Sequence, residues 1–141
     1  MKRILLIFLI VVLVGSGAVA SFAAKEAVNG KVIAYYFHGT FRCPTCHKLE
    51  QYSKETIEAN FQDALTSGKL EFKVINVEDK GNEHFNKDYQ LYTKSLILSL
   101  VKDGKQIKWI NLDKIWEYVG DKEIFIDYVK SGIADFLKET K

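Results

Sequence analysis

The chain carries two cysteines, two residues apart, as Cys43-Pro44-Thr45-Cys46. Paired thiols at this spacing can do four kinds of chemistry. They can exchange disulfides, one thiolate attacking a partner sulfur and the other resolving the mixed disulfide. With His47 they spell C-x-x-C-H, the haem-attachment string. With one of His38, His47 or His84 they can ligate a metal. Closed on each other, they can be an inert staple. The staple has little to offer, because a two-residue gap closes a tiny loop and removes little chain entropy. The haem reading lacks an axial methionine, since the only methionine is Met1. His38 or His84 would have to serve. A closed zinc site usually brings a second ligand pair, and none is visible. The redox dithiol is the preferred reading.

That chemistry needs a thiolate, so the motif must sit where a negative charge is favoured. The flanking residues supply such a place. Lys31 to Phe37 is β-branched and aromatic, which predicts a largely buried strand. Cys46, Leu49, Ser53, Ile57, Phe61 and Leu65 recur every three or four residues, which predicts an amphipathic helix from Pro44 to about Ser67. Pro44 suits the first helical position, and Gly68 ends the helix. Cys43 then lies at the helix N-terminus, where unpaired N–H groups and the helix dipole stabilise a thiolate. Cys46 lies one turn on, in line with the buried stripe. Pro44 also limits how the reduced form relaxes.

Beyond the motif, Leu70 to Val77 predicts a strand and Asn82 to about Tyr92 a short helix capped by Asn82. Ser95 to Val101 is apolar at nearly every position, as a central strand is. Asp103-Gly104 is a hairpin turn signal, followed by a strand over Gln106 to Ile110. Leu112, Ile115, Trp116 and Val119 suggest a short helix. Asp121 caps a last helix to Lys138 with a stripe through Phe125, Val129, Ile133 and Phe136. Two parallel strands joined by a helix, then a hairpin and a final helix, predict an α/β fold. Its centre is a mixed four-stranded sheet flanked by helices. With 48% hydrophobic and 27% charged residues, the chain has the composition of a globular protein, not of a disordered one.

The N-terminus reads as an address. Lys2 and Arg3 precede eleven unbroken apolar residues, Ile4 to Val14, and then small residues. Ala18-Val19-Ala20 predicts cleavage after Ala20, with a cut after Ala23 as second choice. The competing reading is a retained anchor, because Ile4 to Ala24 is uncharged over 21 residues and a bilayer core is ~30 Å thick. The expected organisation is a signal peptide or anchor helix over 1–20, a linker over 21–30 and one domain over 31–141. The folded part is expected outside the cytoplasm, periplasmic or secreted, or tethered to the outer face of the cytoplasmic membrane. The chain has 20 basic and 18 acidic residues; without Lys2 and Arg3 it has 18 of each. A neutral domain argues against a nucleic-acid partner and against electrostatic adhesion to lipid. Any membrane contact is expected through the N-terminal segment alone.

The strand over 31–37, the CPTC motif at a helix start, the strand ending in Glu78-Asp79, the hairpin at Asp103-Gly104 and the last helix together resemble the thioredoxin fold. More narrowly, YYFHGTFRCPTC, KLEFKVINVE, DYQLYTKSLILS and NLDKIWEYV resemble a small bacterial group of exported thioredoxin-like proteins labelled nitrophenyl compound nitroreductase subunit, ArsF family. The resemblance implies Cys43 as attacking and Cys46 as resolving cysteine, with a protein disulfide or dithiol as substrate. An exported dithiol also implies a membrane electron-transfer partner. No stretch resembles a flavin or nicotinamide site, so no cofactor and no nitroreduction are expected.

Two departures from the thioredoxin pattern stand out. The usual cis-proline facing the dithiol is replaced by Leu96, preceded by Ser95. A cis peptide there would cost about 3–4 kcal/mol, so a trans bond is expected. This departure motivates the alternative of soft-metal or metalloid delivery through Cys43, Cys46 and His38, and a second alternative, a catalytically degenerate adaptor. The usual buried acid beneath the dithiol is also missing, since Tyr35, Tyr36 and Phe37 fill that strand. Acid–base help is expected from His38, His47 or water. Arg42, beside Cys43, favours the thiolate or is an ordinary surface arginine. Phe41 packs or shields near the dithiol. Tyr36, Trp109 and Trp116 read as core. The Lys/Glu-rich positions of 48–63 read as a solvated helix face.

Overall fold

The computed structural model describes residues 30–141. The signal or anchor over 1–20 and all of the linker but its last residue lie outside them. Gly30, read as linker, begins the first strand, β1 (Gly30–His38). The elements that follow are α1 (Pro44–Asn60), α2 (Gln62–Ser67), β2 (Leu70–Asn76), α3 (His84–Asp88), β3 (Ser95–Lys102), β4 (Lys105–Asn111), α4 (Ile115–Tyr118) and α5 (Lys122–Lys138). The strands form one sheet in the order β2-β1-β3-β4. β1 runs parallel to β2 and antiparallel to β3, and β3 runs antiparallel to β4. A parallel pair needs a crossover, and α1 with α2 supplies it. The β3–β4 turn has positive φ at both Asp103 (50°) and Gly104 (75°), the backbone of a type I′ hairpin. This strand order and the flanking helices make the fold thioredoxin-like.

Alternation along the strands divides the core in two. Val32, Ala34 and Tyr36 of β1 and Leu96, Leu98 and Leu100 of β3 face α1 and α5, packing on Leu49, Ile57, Phe125, Val129 and Ile133. Phe37 and Ile97 point the other way and pack with Tyr89, Phe85 and Trp109. β3 is buried from Ser95 to Leu100, as its unbroken apolar run predicts. Asp121 caps α5 by accepting from the Glu123 and Ile124 N–H groups.

Two helix expectations need correction. The single helix over 44–67 is broken at Phe61, whose φ of −131° is not helical. Ser53, Thr56 and Asn60 side chains each donate to the carbonyl four residues back. Such back-bonding bends helices, and the break lets Phe61 pack against the core. Asn82 does not cap α3 with its side chain. It donates instead to the Asn76 carbonyl at 3.0 Å, and the helix starts at His84 and ends at Asp88.

Gln106 lies exposed on edge strand β4, yet its Oε1 accepts from Tyr89 Oη at 2.6 Å and Ser99 Oγ at 2.7 Å. Both donors belong to buried residues. Gln106→Ala is expected to cost about 1–3 kcal/mol in urea denaturation because it orphans them. Its exposed neighbour Lys105→Ala should stay within about 0.5 kcal/mol.

Candidate functional site

The dithiol lies where β1 hands over to α1. Cys43 and Cys46 are joined as a disulfide. Cys43 is the N-cap of α1, with extended backbone, and its Sγ accepts from the Cys46 N–H at 3.2 Å. A side chain that accepts from a first-turn N–H is an ordinary cap; here the acceptor is sulfur, so the same N–H is available to a thiolate. Pro44 takes the first helical position, as its fixed φ favours. The two sulfurs differ in access. Cys43 is half-buried, while Cys46 is 2% exposed.

Beneath the motif, Tyr36 is fully buried and its hydroxyl donates to the Cys46 carbonyl at 2.7 Å. Burial pushes its phenol up to about 12; Arg42 pulls the other way and Glu50 adds to the rise. Arg42 forms an ion pair with Glu50, which sits one turn beyond Cys46. The reading of 48–63 as a wholly solvated face therefore fails at Glu50: its carboxylate is held against Arg42 and its side chain is 26% exposed.

The loop before Cys43 is fastened from the β2 side. The Val77 N–H donates to the His38 carbonyl at 2.9 Å. The Thr40 N–H donates to Glu78 Oε2 at 3.0 Å, and Asn76 Nδ2 to Thr40 Oγ1 at 3.2 Å. Hydrogen bonding from Thr40 holds the Glu78 carboxyl below its ordinary value. A Cβ at position 39 would stand 2.6 Å from Glu78 Oε1, so a side chain there would displace the Glu78 carboxylate from Thr40. On the far side, the Ser95–Leu96 peptide is trans, as is every peptide among the described residues. Ser95 pairs with Phe37 and Leu96 with Tyr36, so both stand at the end of the sheet that carries the dithiol. Ser95 Oγ donates to the Thr93 carbonyl and Trp116 Nε1 to the Lys94 carbonyl, both at 2.9 Å.

Of the residues singled out in the sequence, Cys43, Cys46, Arg42 and Pro44 meet in one turn. Ser95 and Leu96 flank it from β3. His38 is half-buried at the end of β1, with Nδ1 2.8 Å from the Gly39 carbonyl. His47 is exposed. Among the described residues no group of three His, Cys, Asp or Glu is arranged to hold a metal ion, and no helix is long and apolar enough to cross a membrane. Phe41 does not pack down; it is 78% exposed, with Lys94 Nζ 6.0 Å from its ring centre. A cleft of about 230 Å³ opens beside the loop, lined by His38, Glu78, Leu91, Tyr92 and Lys94 among others. Sequence reasoning missed Tyr36 and Glu50 as site residues. The spacing of Glu50, four residues after Cys46, was the one available signal.

No family model and no curated protein matches the chain. Among solved structures it is similar to a Fasciola hepatica thioredoxin, at 16% identity over 79% of this chain and 82% of that one, with a TM-score of 0.43. It is also similar to thioredoxin O2 of Arabidopsis thaliana in the oxidised state, at 11% identity over 68% and 76%, TM-score 0.40. A variant thioredoxin of Entamoeba histolytica aligns at 22% identity over 62% and 80%, TM-score 0.35.

Tyr36 has a testable signature. A phenol raised by burial leaves stability unaffected below the ordinary value of 10.0 and removes it as pH rises toward about 12. Tyr36→Phe should cost about 1 kcal/mol at neutral pH for the lost hydrogen bond. It should also shrink the alkaline loss of stability, with Tyr35, Tyr89 and Tyr128, raised in the same direction, accounting for what remains. Denaturant unfolding across the alkaline range measures both.

Proposed function

We propose that this chain is an extracytoplasmic thiol–disulfide oxidoreductase. The observation that carries the reading is the asymmetric pair: a half-buried sulfur capping a helix, bonded to a buried one. In the reducing direction the Cys43 thiolate attacks a substrate disulfide and expels one substrate thiolate, forming a mixed disulfide. Cys46 loses its proton and attacks Cys43 Sγ, which expels the second substrate thiolate and closes the Cys43–Cys46 bond. Two electrons pass from the dithiol to the substrate, and the oxidising direction is the reverse. The Cys46 N–H supports the thiolate on Cys43. Tyr36 fixes the turn that holds Cys46, so the resolving sulfur stays one turn from its target.

Protein disulfides or dithiols are the proposed substrates. A membrane electron-transfer partner restores the dithiol's redox state, since an exported thiol has no access to cytosolic reductant. The extracytoplasmic placement and any tether rest on the pattern over residues 2–24. The finer grouping with exported proteins of the ArsF label rests on the four sequence stretches that resemble them.

Equilibrated metal-free in graded thiol–disulfide buffers, quenched and alkylated, the protein should show a reversible two-electron transition by mass spectrometry. Cys46→Ser should accumulate a mixed disulfide with a substrate protein, and Cys43→Ser should form none. A pair that will not cycle, or that reacts only after a chelator strips it, overturns the reading in favour of soft-metal binding. Placement is checked separately in cells with a permeable outer layer. There Cys43 should react with a membrane-impermeant maleimide after mild reduction, and protection until the inner membrane is lysed would refute it.

A further inference from the structure

We propose that the Arg42–Glu50 ion pair sets the acidity of the Cys43 thiol, Arg42 favouring the thiolate and Glu50 damping that effect. The inference rests on the dithiol reading above and names the residues that tune it. Arg42 precedes Cys43 directly, and Glu50 lies one helical turn after Cys46, so the pair spans the motif from both ends. Their side chains are only 20% and 26% exposed, so solvent screens them less than it does a surface pair. Both charges act on the phenol of Tyr36, which donates to the carbonyl of the resolving cysteine. The pair therefore reaches the turn that carries the sulfurs.

The guanidinium is also not used up by its carboxylate. Arg42 Nε is buried and, among the described residues, has no hydrogen-bond partner. A buried donor without an acceptor is costly. Nε is thus a buried positive edge one residue from Cys43, while the same guanidinium also draws the Tyr36 phenol down. The other charged or titratable groups around the turn are His38 at the end of β1, His47 on α1, Glu78 after β2 and Lys94 before β3. Among the described residues, Arg42 and Glu50 form no ion pair except with each other. Arg42 and Glu50 are positioning residues in this account: they act on the reacting sulfur's charge and transfer no proton or electron themselves.

The sign of each substitution separates this role from a merely structural one. Both residues hold the same ion pair, so a structural role would make the two losses alike. An electrostatic role makes them opposite. The reduced full-length protein is titrated by ultraviolet thiolate absorbance and by the rate of Cys43 alkylation against pH. Glu50→Gln is expected to raise the thiol's acid dissociation constant about fivefold, and Arg42→Gln to lower it by about the same factor. The double variant should return close to wild type, and Arg42→Lys, which keeps the charge without the planar fork, should stay near wild type. Shifts of the same sign, or no shift in Glu50→Gln, would overturn the inference. If Arg42→Gln fails to fold, Glu50→Gln and Arg42→Lys still decide it. These titrations do not depend on turnover. A wild-type protein that fails to cycle while its variants shift as expected would overturn the oxidoreductase reading and leave this one standing; cycling without opposite shifts would do the reverse.

Discussion

The hydroxyl of Tyr36 joins the interior of the sheet to the first turn of the helix that carries the dithiol. A buried hydroxyl must find an acceptor or destabilise the fold, and this one finds the Cys46 carbonyl. The bond is possible only because several other things are true at once. β1 must be an inner strand, so that Tyr36 is covered. Its register with β3 must put Tyr36 opposite Leu96. α1 must begin at Pro44, so that the Cys46 carbonyl falls over the strand's end. A shift of one residue in β1 would turn Tyr36 to the opposite face and leave the dithiol turn without its anchor. The site's geometry is thus fixed by the sheet.

The second constraint comes from the other side of the loop. β1 ends at His38 and the helix cap is Cys43, so four residues must cross between layers. Loops of that kind are mobile unless their backbone is tied down. Here Thr40 and His38 are bonded to the residues that follow β2, and Glu78 fills the space that a side chain at position 39 would need. The parallel pairing of β1 with β2 brings those residues alongside. A phenol thus holds the Cys43–Cys46 turn from beneath, and a carboxylate holds the loop that leads into it. Cys43 Sγ accepts from the first turn of α1, and the Arg42–Glu50 pair begins at the residue before it.

Local patterns in the chain made much of this legible. A β-branched and aromatic run marked β1, an unbroken apolar run marked β3, the three-and-four spacing marked α1 and α5, and Asp103-Gly104 marked the hairpin to β4. Each depends on residues close in sequence, and each is present. The dithiol, its cap position and the first-turn proline were legible for the same reason. What was missed depends on partners brought together by folding or on competition within an element. Glu50 looks like any other charge on a helix until Arg42 folds back over it. Tyr36 looks like a core aromatic until the Cys46 carbonyl arrives above it. The break at Phe61 follows from three side chains that draw on the helix's own carbonyls, a contest that the apolar stripe does not display. Asn82 has the right type for a cap, but it is bound to Asn76 instead.

The missing proline bears on how the loop before β3 keeps its shape. A cis-proline would impose a bend on the backbone by covalent geometry alone. With a trans Ser95–Leu96 bond, hydrogen bonds hold the segment before β3. Ser95 turns its hydroxyl back onto the Thr93 carbonyl, and Trp116 reaches across from α4 to take the Lys94 carbonyl. Trp116, read from sequence as core, is therefore a fastener for the segment that faces the motif. The two devices differ in kind. A cis-proline is independent of its surroundings, whereas the Trp116 bond couples the loop to α4, which packs in turn on α5. The surface beside the dithiol is thereby linked to the helical layer on one face of the sheet, and its shape depends on how well that layer is packed.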